Sequence, residues 1–183
     1  MYLTLILYHI FYIQFIYHQI ELNENIYWHE VNKLKWEYYL ERPSKNNIMG
    51  AISTTGIESS CNLNKREIKI VVMAFFCKTE SWSKPELRTD KALIHEQGHF
   101  DIAEIHARLF RMKIIKSRLN SKNCIRKFNE IKSEVESKLV MAQKLYDKET
   151  EHHRNEEMQL KWNEKIKKEL FELKQYQTSE INL

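Results

Sequence analysis

The stretch Leu93–Arg108 reads LIHEQGHFDIAEIHAR, and its reading decides the fold. Ile94, Gly98, Ile102 and Ile105, and beyond them Leu109 and Met112, return at i+3 and i+4 steps on one face. A helix is therefore predicted from about residue 90 to about residue 118, with Thr89 or Ser83 as a cap for its start. Set into it is the pattern H-E-x-x-H: His95, Glu96 and His99. Two histidines four apart lie one turn apart on one face, so their imidazoles can converge on a single ion. Zinc suits two such nitrogens plus a third nitrogen or oxygen ligand, with the fourth position left to water. Glu96, beside the first histidine, is placed to take a proton from that water and later hand it to a leaving amine.

The pattern also arises by chance in chains rich in His and Glu. What lifts it here is its position inside a helix predicted independently from the apolar period. Gly98 adds weight, since glycine in a helix interior costs about 1 kcal/mol relative to alanine. That cost points to another backbone passing close by, or to an aromatic ring packed over the position.

The helix itself offers no third ligand. Asp101 faces elsewhere, Glu104 lies about 180° around the helix from His95 and reads as a structural acid, and His106 is roughly 10 Å along the axis from His99. A later element must supply it. Ile125, Phe128, Ile131, Val135, Leu139, Ala142 and Leu145 mark a second long helix, about residues 122–147. If the two helices form an antiparallel hairpin, His99 stands about 19 residues, or roughly 28 Å, before the turn. Travelling back as far along the second helix reaches Met141, and the level of His95 falls near Leu145. The segment YDKETEHH then arrives beside the motif with Asp147, Glu149, Glu151, His152 and His153. A charged helix end is the ordinary alternative for such a cluster. Tyr146 or His153 could donate a hydrogen bond to the oxyanion of a tetrahedral intermediate, or simply pack. Asp101 or Glu104 could orient a ligand histidine, or form a plain salt bridge.

Outward from this centre, the N-terminal half reads as strands. Residues 66–78, REIKIVVMAFFCK, alternate and then turn wholly apolar, giving the clearest strand in the chain. Its edge could take an extended peptide, unless the strand is central in its sheet. Residues 48–59 suggest a strand with a bend, and 79–90 a loop. A third, charged helix runs through Trp162, Ile166, Leu170 and Leu173, and residues 176–183 read as a frayed tail.

The first 22 residues, beginning MYLTLILYHIFYIQFIYHQI, are apolar and aromatic over about the length of a short membrane span. They read as a signal or anchor candidate, although a basic start and a small-residue cleavage site are missing. The 183 residues carry a net charge of +4, with acids and bases mixed along the helices, which excludes a nucleic-acid footprint. Three glycines and two prolines disfavour a turn-rich all-β fold. Cys61, Cys77 and Cys124 form no C-x-x-C pair, so a thiolate zinc site is disfavoured; one disulfide or three thiols are both compatible with the spacing.

The stretches KLKWEYYLERP, ESWSK, LIHEQGHFDIAEIHAR and YDKETEHHRNEEMQLKWNEKI together resemble a bacterial family known as domain of unknown function 922, described as secreted zinc-dependent proteases. The resemblance covers about residues 26–170. It implies His95 and His99 as ligands, Glu96 as the base and His152, the T-x-H histidine, as third ligand. The chain carries His153 where the family is expected to carry glycine.

Together these readings predict an α+β, zincin-like domain over residues 23–175, with a small N-terminal sheet packed on long helices that carry the motif. The expected activity is hydrolysis of peptide bonds in a peptide or protein substrate. One Zn2+ would be held by His95, His99 and His152, with Glu96 as general base and Tyr146 as a candidate oxyanion donor. The expected location is secreted, periplasmic or membrane-anchored through residues 1–22. The rival expectations are a non-catalytic, envelope-associated metal-binding module, and a helical interaction protein in which the motif is coincidental.

Overall fold

A computed structural model describes residues 24–43, 47, 49–64 and 67–183. The apolar segment 1–22, and with it the signal or anchor expectation, lies outside the described residues. Among those residues no helix is long and apolar enough to cross a membrane.

The fold is α+β: a small antiparallel sheet and three helices. In chain order the strands are β1 (Asn25–Tyr27), β2 (Ala51–Ile52), β3 (Thr55–Asn64), β4 (Glu67–Cys77), β5 (Trp82–Ser83) and β6 (Glu180–Asn182). The helices are α1 (Asp90–Lys116), α2 (Cys124–Thr150) and α3 (Glu156–Glu172). β4 is the spine of the sheet. β3 pairs along its whole length on one side, from Thr55 opposite Phe76 to Asn64 opposite Glu67. β1 and β6 sit end to end on the other side, β1 against Phe75–Cys77 and β6 against Lys69–Val71. Its alternation follows from this position: Ile68, Ile70, Val72, Ala74 and Phe76 are buried, while Val71, Met73 and Phe75 are half-buried on the opposite face. A strand paired on both sides has no free edge for a peptide, so of the two alternatives for 66–78 the central strand is the one present. β2 and β5 form a separate two-stranded ribbon.

Two further expectations change. The tail is not frayed: Glu180–Asn182 form β6, with Ile181 buried and Lys69 Nζ 2.8 Å from the Glu180 carboxylate. β1 covers only one end of β4, and β6 covers the backbone groups that β1 leaves open. The buried face of α1 is also displaced from the predicted stripe, because Ile94 is half exposed. Sheet and two helices enclose α1 over a wide arc, and Phe100, Ala103, Ala107, Phe110 and Ile114 share the burial with Ile102 and Ile105.

Thr89 caps α1, its side chain accepting from Ala92 N at 3.1 Å. Glu104 is a structural acid, as the spacing predicts. Its Oε1 accepts from Arg108 Nε at 2.8 Å and Arg111 Nη2 at 2.6 Å, and Arg111 Nη1 donates to the Val72 carbonyl, tying helix to sheet. α2 runs past its predicted end and stops at a turn in which Glu151, His152 and His153 all have left-handed backbones, with φ of 50°, 53° and 67°. Non-glycine residues adopt that region at a cost of roughly 1–2 kcal/mol each. The turn reverses the chain so that Asn155 can cap α3, its side chain accepting from Met158 N.

Candidate metal centre

α1 and α2 pack as the predicted antiparallel pair, and the end of α2 arrives beside the motif. His95 Nε2 and His99 Nε2 lie 3.2 Å apart. Two zinc–nitrogen bonds of about 2.0–2.1 Å at a tetrahedral angle span roughly 3.3–3.4 Å, so the pair is already spaced as ligands of one ion. Asp147 Oδ1 lies 3.1 Å from His95 Nε2, 3.0 Å from His99 Nε2 and 3.2 Å from His152 Nδ1. His95, Asp147 and His152 together form a group that could hold a metal ion. His152, chosen as third ligand from the resemblance, is thus in the cluster, but Asp147 is at its centre.

The outer nitrogens decide what the inner ones present. Gln159 Nε2 donates to Tyr146 Oη and Asn163 Oδ1, so its Oε1 is the atom facing His95 Nδ1 at 3.0 Å. Gln143 Nε2 donates to the His99 carbonyl and to Thr55 Oγ1, so its Oε1 faces His99 Nδ1. An amide oxygen only accepts. Both Nδ1 atoms must therefore carry hydrogen, and in the neutral rings both Nε2 atoms present lone pairs towards Asp147. Two lone pairs and a carboxylate lack protons to share, whereas a divalent cation satisfies all three. The donor set fits a divalent cation on these grounds.

Charge in the cluster is consistent with that chemistry. A protonated imidazole would instead donate to Asp147: burial opposes ionisation of Asp147, but hydrogen bonds from His95 and His99 and the charges of His99 and His152 hold its carboxyl well below the usual range. Burial would lower the His99 pKa, yet its bonds to Asp147 and Gln143 and the nearby charges of Glu96 and Asp147 raise it overall. The cluster is open on one side. His95 is 2% exposed and His99 13%, against 33% for Asp147 and 42% for His152. A cavity of about 940 Å³ lies on the far side of α1, lined by residues such as Trp28, Leu34, Ile94 and Phe171, and it includes none of these ligands.

The other predicted residues fall as follows. Glu96 is buried beside His95, its Oε2 accepting from Ser53 Oγ at 2.6 Å. Tyr146 lies behind the cluster rather than at its mouth. Its ring stacks on His95 with centroids 4.6 Å apart, and its hydroxyl donates to the His95 carbonyl while accepting from Gln159. Fully buried and committed, it braces His95 and does not face the open side of the cluster, where the oxyanion-donor expectation would place it. The same ring explains Gly98, since a Cβ there would lie 2.2 Å from Tyr146 Oη. His153 remains at the rim, its ring 5.9 Å from that of His95. Asp101 touches no ligand histidine; it accepts from Trp28 Nε1 and Gln97 Nε2. Cys61, Cys77 and Cys124 are free thiols.

Sequence reasoning missed Gln143, Gln159 and Ser53, because a lone amide or hydroxyl carries no diagnostic spacing. Replacing Gln143 or Gln159 with Leu should weaken zinc binding by about 10- to 100-fold while leaving all ligands in place, as measured by competition with a chromophoric chelator.

No family model, curated protein or solved structure matches the chain.

Proposed function

We propose that the protein is a zinc-dependent metallopeptidase of zincin-like architecture, within the domain of unknown function 922 family. The observation that carries this reading is the convergence of His95, His99, Asp147 and His152 beside the buried carboxylate of Glu96. His95 and His99 would hold the ion, with His152 or Asp147 completing the set. Bound there, zinc would lower the pKa of a coordinated water towards about 7 and polarise the scissile carbonyl. Glu96 would accept the proton of the attacking water and return it to the departing amine. Gln143, Gln159 and Tyr146 keep the two imidazoles aimed while this happens. The resemblance of the helix motif and of the Y-D-x-x-T-x-H segment to secreted zinc-dependent proteases supports the same reading.

A purely structural site is the second reading, favoured by the presence of four donors rather than three. Metal analysis separates the readings when combined with peptide hydrolysis. The peptidase reading expects one zinc per chain, hydrolysis lost on chelation and restored by zinc, and loss of metal in His99→Ala. Stoichiometric zinc with no hydrolysis of any peptide pool would favour the structural site.

Acidity should act in opposite directions on the two forms. Zinc requires neutral imidazoles, and the raised pKa of His99 lets protons compete further up the pH scale. Zinc affinity should therefore fall by about tenfold or more for each pH unit below about 6.5. In the zinc-free protein the raised pKa has the reverse effect. The His99–Asp147 ion pair stabilises fully below the unfolded histidine value of about 6.5 and is lost as pH rises through the folded value. Thermal melts should show the zinc-free form weakening, and the zinc-loaded form holding, as pH rises above neutrality.

A further inference from the structure

We propose that Ser53 and Tyr39 position the Glu96 carboxylate, holding one oxygen so that the other faces the attacking water. The proposal rests on the peptidase reading for its chemistry but on its own geometry for the placement. Ser53 Oγ lies 2.6 Å from Glu96 Oε2, and Tyr39 Oη lies 2.8 Å from Ser53 Oγ. An ionised carboxylate only accepts, so the single hydroxyl hydrogen of Ser53 goes to Glu96. Ser53 can then only accept from Tyr39, and the chain runs in one direction: Tyr39 to Ser53 to Glu96. The 2.6 Å separation is that of a charge-assisted hydrogen bond. Among the described residues no group bonds Glu96 Oε1, which leaves that oxygen for solvent.

Both positioning residues are held by rigid surroundings. Ser53 sits on the two-residue link between β2 and β3. Ile52 pairs with Trp82 on one side of it, and Thr55 with Phe76 on the other. Thr54 N donates to Ser81 Oγ at 2.9 Å, and the Thr54 carbonyl accepts from Cys77 N at 2.8 Å. Tyr39 is 5% exposed, with its ring centroid 5.0 Å from that of Trp36 and 5.1 Å from that of Phe76. The hydroxyls therefore have little freedom to follow a wandering carboxylate; the carboxylate is fixed to them. A base held in one orientation meets its proton at the right angle without a rotamer search, which is the sense in which supporting groups assist a reaction they do not touch.

The zinc-loaded full chain and its Ser53→Ala, Ser53→Thr and Tyr39→Phe variants test this in two ways. On a peptide substrate, Ser53→Ala should lower kcat about tenfold with KM and bound zinc within about twofold of wild type. Ser53→Thr should restore most of the rate, and Tyr39→Phe should fall between the two. Independently of activity, proton NMR of the zinc-free chain should show a downfield, slowly exchanging hydroxyl resonance that correlates with Ser53 and disappears in Glu96→Ala, which removes the acceptor. An unchanged kcat in Ser53→Ala, or a resonance that survives Glu96→Ala, overturns the proposal. If the zinc-loaded wild type cleaves nothing, the peptidase reading fails by itself, and the resonance still decides whether Ser53 and Tyr39 hold Glu96.

Discussion

Glu96→Gln is expected to lower kcat for peptide hydrolysis by about 10²- to 10⁴-fold while one zinc per chain stays bound. The amide keeps the size of the carboxylate and still offers an oxygen to Ser53, so the packing around residue 96 survives. It cannot take a proton at neutral pH. Glu96 lies beside the His–Asp cluster and not within it, since among the described residues its hydrogen bond goes to Ser53. Metal content and rate should therefore separate cleanly, which they would not for His95 or His99. Alanine at 96 is a poorer probe because it strands the Ser53 hydroxyl against a buried hole. Parallel measurement of kcat and of zinc by atomic emission decides the matter. Hydrolysis at the wild-type rate in Glu96→Gln would move the base elsewhere.

Gly98→Ala should destabilise the protein even though alanine is the better helix former by about 1 kcal/mol. The added methyl would stand 2.2 Å from Tyr146 Oη and 2.7 Å from Tyr146 Cζ. Tyr146 cannot step aside without giving up its bonds to the His95 carbonyl and to Gln159, or its stacking on the His95 ring. Overpacking of this kind costs about 1–3 kcal/mol, which for a chain of this size lowers the melting temperature by about 2–4 °C per kcal/mol. Displacing the ring also tilts His95, so zinc affinity should drop by at least about tenfold. A melting temperature equal to or above that of wild type would show that the ring is free to move, contrary to its packing.

The parts of this site that could be read in the chain are those fixed by local geometry. Helical rise alone places Met141 at the level of His99 and Leu145 at that of His95, and so delivers the right segment to the right place. The H-E-x-x-H pair needed only the four-residue step. The choice within the delivered segment was harder, because it depends on where α2 ends. The segment offers Asp147 among five candidates, and the resemblance rather than geometry selects His152. The helix in fact continues to Thr150, and Asp147 projects from its last turns into the cluster. Gln143 and Gln159 were illegible for a different reason: they meet α1 from 44 and 64 residues away, and nothing in a single sequence marks an amide as the partner of an imidazole. Gly98 was legible as a close approach, and of the two partners weighed for it the aromatic is the one present. The tail shows the opposite limit, since three residues are too few for a period to declare itself, and only the open stretch of β4 explains why they form a strand.

His95 receives Gln159 from α3 and Asp147 from α2, with 64 and 52 residues of chain between the partners. No fragment carrying one or two of the helices can assemble that meeting point. A nascent chain that ends before α2 would display two histidines and a glutamate with nothing to complete them, and one that ends before α3 would lack Gln159 behind His95. The proposed hydrolysis is thereby tied to the finished tertiary structure.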